Sequence, residues 1–198
     1  MTPEVPEDED ARLMEQVARG DKAAFAKLFD RYQSAVVRFA WRFVGSQARA
    51  EELAQEIFLK LYRSSKSYRP SAKFKTFLFR VATNHCLNEV RRGDYRVMEP
   101  QKEEQRDTSE AVGQRPDDAL EGKQLEGAVG LALEKMSERE RAAFSMCRFE
   151  GMAYREIADA LEASEAAVKS LIHRATLQVV KQVELLKAGL ATRPGVKS

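Results

Sequence analysis

Cysteine, histidine and tryptophan are nearly absent: the chain has two Cys, two His and one Trp in 198 residues. Cys86 and Cys147 lie far apart within helical patterns, which is neither a disulfide framework nor a zinc spacing. They read as two small apolar side chains for a core. His85 and His173 fall in separate parts of the chain. With no metal-ligand spacing, nucleophile motif or Gly-rich phosphate loop, no enzyme constellation is present. The expectation is a non-enzymatic protein with no metal, no cofactor and no small-molecule substrate. No unbroken apolar run reaches about 18 residues, so no membrane insertion is expected. Met1 to Asp10 is acidic and lacks the apolar stretch of a signal peptide, which makes the expected location cytoplasmic. No segment alternates convincingly with period two, so strands are not expected either.

What is present is charge, and it is segregated. The net charge is only +2. Residues 59–96 nevertheless carry ten Lys and Arg against Glu89 and Asp94, whereas residues 99–126 carry nine acids against four bases. The first ten residues add five acids and no base. A basic block beside an acidic one points to a polyanion-binding surface rather than to a uniformly neutral protein.

Helical periodicity organises the rest. A short helix at about 10–19 ends at Gly20, and Asp21 caps the next. That helix places Phe25, Leu28, Phe29, Tyr32, Val36, Phe39 and Phe43 on one stripe and stops at Gly45. Ser46 caps a third helix with Leu53, Ile57 and Leu61 beside Ala54, Phe58 and Tyr62, leaving Glu51, Glu52, Gln55 and Glu56 on other faces. Residues 64–73 read as a loop containing Pro70, followed by a helix over about 72–92. Residues 10–93 therefore predict one helical bundle. Residues 94–122 have almost no aliphatic content and two prolines, which reads as a flexible acidic linker. A second helical domain follows over 123–188, with Leu125, Val129, Leu133 and Met136 helically spaced. Ser137-Glu138-Arg139-Glu140 is a capping box opening its next helix. The fold class is all-α, with two small domains joined by that linker.

The sharpest local signal lies between Tyr154 and Ala175. Ile157, Ala158 and Leu161 form the inner face of a helix of about 154–161, and Ser164 caps a second one. Val168, Leu171, Ile172 and Ala175 seat that second helix and leave Lys169, Ser170, His173 and Arg174 outward along one edge. This spacing fits a helix-turn-helix, whose second helix can enter a major groove. It fits a helical hairpin with a solvated charged face equally well. The turn lacks its usual glycine, so Glu162 or Ala163 must make it.

Three motifs taken together resemble a known family. The run Glu156-Ile157-Ala158, Ser164, Val168-Lys169-Ser170 and Arg174-Ala175 is similar to region 4 of sigma factors. Ala50-Glu51-Glu52-Leu53-Ala54-Gln55-Glu56-Ile57-Phe58 resembles the region 2 segment that grips the polymerase clamp. Phe74-Lys75-Thr76-Phe77-Leu78-Phe79-Arg80-Val81-Ala82-Thr83-Asn84 resembles the promoter-melting element that follows it. The order and spacing match, over about 12–93 and 124–185. No room exists for a folded region 3, and no long region 1 precedes residue 12. The chain is thus identified as resembling the extracytoplasmic-function (ECF) group of the sigma-70 family. Two departures stand out: Arg49 occupies a usually acidic position, and Phe77 stands where Trp is common.

That resemblance implies a transcription initiation factor that directs RNA polymerase core enzyme to promoters and helps melt them, in a stress or envelope response. It implies core contacts at Glu51, Glu52, Leu53, Gln55, Glu56 and Phe58. Contacts to the upstream edge of the melted (−10) element fall to Lys66, Arg69, Lys73, Lys75, Phe77, Asn84, Asn88, Arg91 and Arg92. Contacts to the −35 element fall to Lys169, Ser170, His173 and Arg174. The implied partners are core polymerase, promoter DNA and an anti-sigma factor. The rival reading is a stand-alone regulator that binds duplex DNA without polymerase.

Overall fold

The computed structural model describes residues 8–70, 72–92 and 116–191, with the backbone alone at 116–121 and 189–191. Among these residues the secondary structure is helical, and no strand occurs. The N-terminal half holds α1 (Glu9–Ala18), α2 (Lys22–Val44), α3 (Gln47–Ser64), a 3-10 turn (Ser65–Ser67) and α4 (Phe74–Arg91). The C-terminal half holds α5 (Pro116–Lys135), α6 (Glu138–Arg148), α7 (Tyr154–Leu161) and α8 (Glu165–Ala191).

Several boundaries have a local cause. Asp21 Oδ1 accepts from the N–H groups of Ala23 and Ala24, satisfying two otherwise unpaired donors of α2. Gly45 ends that helix in the left-handed region at φ 67°, a conformation that costs glycine little. The capping box is fully formed: Ser137 Oγ accepts from Glu140 N–H, and Glu140 Oε2 accepts from Ser137 N–H. α5 begins at Pro116, inside the 94–122 stretch expected as linker. Proline at the first helical position followed by Asp117 and Asp118 suits a helix start, a signal that the low aliphatic content masked. Residues 94–115 of that expected linker lie outside the described residues.

The N-terminal bundle is built on aromatic packing. Phe39 packs against Phe43 and Phe79 with ring centroids 5.2 Å apart in each pair, and all three are buried. Asp8 ties the bundle's two ends together. Its Oδ1 caps α1, while its Oδ2 accepts from Phe74 N–H at 2.6 Å, capping an α4 that has no side-chain cap of its own. Asp10 fastens α1 to α2, accepting hydrogen bonds from Arg31 and from the Tyr32 hydroxyl.

The two halves are packed on each other, α7 against α4 and α6 against α2. Their buried apolar residues form one cluster, from Leu28 and Phe79 on one side to Met146 and Ile157 on the other. A smaller cluster around Leu133, Met136, Phe144 and Ala175 seats α5 on α8. Buried Arg141 links these layers. It donates to the carbonyls of Leu133, Glu134 and Met136 at the end of α5 and to the Arg42 carbonyl of α2 at 3.3 Å.

The turn between α7 and α8 is made by Glu162, which adopts φ 50° and ψ 52°. It is the one non-glycine residue with positive φ among those described. A side chain in this region costs roughly 1 kcal/mol, and Glu162 is exposed with no packing to offset it. Replacing it with glycine relieves that strain while freeing the unfolded chain. Glu162→Gly should therefore raise stability by up to about 1 kcal/mol in urea unfolding. A loss of similar size would mean that the Glu162 side chain holds the turn.

Candidate polymerase and nucleic-acid interfaces

Helix α3 separates into two faces. Leu53, Ile57 and Leu61 are fully buried, while Glu51, Glu52, Gln55 and Glu56 are exposed beside them. Leu53 has 0% exposure: it is core, and it aims the acidic face outward. Phe58 is buried too, at 2% exposure. It forms the floor of an open apolar groove of about 420 Å³ lined by Phe25, Phe29, Gln55, Leu59 and Tyr62. Leu59 and Tyr62 are among the large apolar side chains left exposed.

The unusual Arg49 is held within this acidic surface. Its guanidinium donates to Glu52 at 2.8 Å, to Glu56 at 3.3 Å and to buried Glu89 of α4 at 2.5 Å. His85 Nε2 lies 2.7 Å from the other oxygen of Glu56. The position that is usually acidic thus carries a cation that ties α3 to α4 and fixes the orientation of two of its carboxylates.

The expected −10 residues fall into three groups. Lys66 and Arg69 are exposed on the turn after α3, with Arg69 donating to the Tyr68 carbonyl. Asn84, Asn88, Arg91 and Arg92 are exposed along the far end of α4. Phe77 is half-buried, 5.1 Å from Tyr68 and under the Arg80 guanidinium at 5.4 Å. It packs as an edge of the core. Lys73 and Lys75, at the start of α4, already have partners in the C-terminal half. Lys73 pairs with Glu156 at 2.7 Å, and Lys75 donates to the Glu150 carbonyl. Arg91 adds a longer contact to Glu138 at 3.9 Å.

In the C-terminal half, Val168, Leu171, Ile172 and Ala175 are buried under α8, whereas Lys169, Ser170, His173 and Arg174 are exposed on its other side. Helix α7 is anchored beneath them by Arg139, which donates to the Leu161 carbonyl at 2.9 Å. Arg174 is not a free reader. Its Nε donates to Glu140 Oε1 at 2.6 Å, and the other oxygen of that carboxylate closes the capping box.

Several residues that sequence reasoning missed act between halves. Lys75 Nζ lies 4.0 Å from Glu150, a carboxyl on which Arg42 and Arg38 of α2 also act electrostatically, and Glu156 pairs with Lys73 while also capping α7 through Ala153 N–H. No local pattern marks them, since their partners lie on the other half.

The geometry defines the class: a two-part helical protein with an exposed polar edge on α8 in one half and a basic helix beside an acidic one in the other. Comparison with known proteins narrows this further. Residues 28–95 match the family model Sigma-70 region 2, and residues 126–178 match Sigma-70, region 4. The RNA polymerase sigma-H factor of Pseudomonas aeruginosa is 30% identical over 186 residues, covering 91% of this chain and 96% of its own. The ECF RNA polymerase sigma-E factor of Escherichia coli is 30% identical over 184 residues, covering 89% and 95%. Among solved structures, CnrH bound to the cytosolic domain of CnrY superposes with a TM-score of 0.66 at 22% identity, covering 90% of this chain and 99% of that one. RpoE bound to the anti-sigma factor NepR from Bartonella quintana gives 0.61 at 16% identity, covering 81% and 96%. The chain belongs to the ECF group of the sigma-70 family of RNA polymerase sigma factors.

The Arg174–Glu140 pair carries a pH signature. Burial works to raise the Glu140 carboxyl, but hydrogen bonds from Arg174 and from the Ser137 N–H outweigh it, so its pKa is lowered. A carboxyl lowered on folding stabilises the protein above its unfolded pKa, and this stabilisation is lost as pH falls through the folded value. Arg174→Ala should cost about 1 kcal/mol at pH 7, a figure discounted for the half-exposed arginine. Thermal melts of both proteins should converge as pH drops below the carboxylate range. A difference that persists unchanged in acid would show that the pair does not stabilise α6.

Proposed function

We propose that this sigma factor works through three surfaces, each on a separate face of the two halves. The acidic face of α3, with Glu51, Glu52, Gln55 and Glu56, meets a basic helix of the core polymerase clamp. The observation that carries this reading is the division of α3 itself. Four polar acceptors stand exposed above a fully buried aliphatic seam, and Arg49 and His85 hold two of them in place. The groove over Phe58, with exposed Leu59 and Tyr62 at its side, adds apolar area next to these acceptors.

The turn bearing Lys66 and Arg69, together with Lys73, Lys75, Asn84, Asn88, Arg91 and Arg92, binds the melted −10 strand. Phosphates are neutralised by the cations, and a base turned out of the stack is taken up near Tyr68 and Phe77, which costs a few kcal/mol of unstacking. The exposed edge of α8, with Lys169, Ser170, His173 and Arg174, reads the −35 duplex in the major groove. Residues 10–93 and 123–188 serve as the two functional domains, and the segment between them sets the spacing of the two promoter elements. The chain catalyses nothing itself: it positions core enzyme and opens DNA, acting in the cytoplasm. An anti-sigma factor is its regulator, in line with two structural neighbours that are solved with bound proteins. With the family shown, no separate observation favours a stand-alone regulator.

Run-off transcription with bacterial core polymerase and a fragmented genomic DNA pool tests the reading. Wild-type protein should give discrete new transcripts whose start sites share two upstream elements. Glu51→Lys with Glu52→Lys should weaken core binding by at least roughly tenfold in a pull-down, the worth of two charge contacts at a protein interface. Unchanged core affinity in this variant would remove α3 as the clamp contact.

A further inference from the structure

A straight apolar groove runs between the first part of α2 and the second part of α3. Its volume of about 420 Å³ falls within the range of small-ligand pockets, roughly 300–1,000 Å³. One wall steps from Lys22 to Phe25 and Phe29, the other from Gln55 to Leu59 and Tyr62, with Phe58 as the floor. Steps of three and four on both helices carry the groove along their axes for two turns, about 10 Å. The walls run antiparallel. Phe25 meets Tyr62 with ring centroids 5.1 Å apart, and Phe29 meets Phe58 at 4.8 Å. Leu59 is 48% exposed and Tyr62 38%, so this surface is apolar and open at once.

The two ends of the groove differ in charge. Lys22 and Tyr62 share one end, where Arg63 is also exposed. Gln55 marks the other end, beside exposed Glu51, Glu52 and Glu56. Lys22 forms no ion pair among the described residues, and none of those lining the groove is a carboxylate. The Asp21 carboxylate next to Lys22 is taken up by the N–H groups of Ala23 and Ala24. An anion is therefore attracted to the Lys22 end and repelled from the Gln55 end. An apolar trough with a cation at one end and acids beyond the other is complementary to a linear apolar chain that carries an anionic head.

We propose that this groove binds a medium-chain aliphatic carboxylate, its alkyl chain over Phe58 between Phe29 and Leu59 and its carboxylate on the Lys22 ammonium. Burial of methylenes on the aromatic floor supplies the affinity, and the ion pair sets the orientation. A bound chain covers the apolar part of the surface assigned above to core polymerase, so ligand and core compete. That consequence rests on the clamp reading of α3, whereas the binding itself does not.

Isothermal titration calorimetry of the full chain with hexanoate, octanoate and decanoate tests the site in the absence of polymerase. Affinity should rise by up to about fourfold for each added methylene, the worth of burying it. Lys22→Gln should weaken decanoate binding by up to about fivefold, the ceiling for an exposed ion pair. The same change should leave decanol, which has the chain without the charge, unaffected. Leu59→Asn should weaken decanoate and decanol alike. Both side chains are exposed, so neither change disturbs the core, and a circular-dichroism melt checks each variant. Absence of saturable decanoate binding overturns the site and leaves the groove to an apolar helix of a protein partner. Affinity that does not rise with chain length, or an equal loss of decanoate and decanol in Lys22→Gln, overturns it as well. Decanoate should also reduce the amount of core polymerase pulled down by the wild-type protein. Binding without that effect overturns the competition and leaves the ligand site standing.

Discussion

A carboxylate enters a protein interior only in the company of cations or donors, and Glu150 obeys that constraint by drawing its partners from the other half of the molecule. Lys75 stands 4.0 Å from it, Arg42 and Arg38 oppose the effect of its burial with their positive charge, and α7 packs on α4 beside this pair. Phe149 stacks under Arg42, and Arg141 reaches from α6 to the end of α2 through the Arg42 carbonyl. The apolar cluster that runs between the halves buries the Glu150 carboxylate, which makes its pairing with Lys75 matter more. The arrangement of the whole chain thus depends on an electrostatic match between halves that the nearly neutral total charge conceals.

The surfaces needed for transcription initiation are distributed unevenly around that contact. The acidic face of α3 and the outer edge of α8 lie open, so neither core polymerase nor a −35 duplex is barred by docking from the side chains expected to meet it. The start of α4 is different, because its two lysines already hold carboxylates. The polar face of α3 is thus exposed, whereas the lysines at the start of α4 are satisfied within the chain.

Much of this was legible in the chain itself, where cause and effect are close in sequence. The Phe39 and Phe43 stripe, Asp21 and Ser46 at helix starts, Gly45 at a helix end and the Ser137–Glu140 box all act within a turn or two. The reading helix was legible for the same reason, down to Glu162 as one of two candidates for the turn. What was not legible joins distant residues. Asp8 caps a helix that begins at Phe74, Arg49 turns towards Glu89, and Arg174 bends back to Glu140. Periodicity marks which face a residue occupies but not which distant carboxylate will meet it. For Leu53 the spacing was the more informative signal, since it placed the side chain in the buried seam of α3.

Small-angle X-ray scattering of the free chain across a salt series tests the internal electrostatic match most directly. The account predicts a compact, single-lobed distance distribution at low salt. As salt screens the interdomain pairs, the distribution should become extended and two-lobed. An extended particle at low salt, or a compact one indifferent to both salt and the Glu150→Gln change, would contradict it.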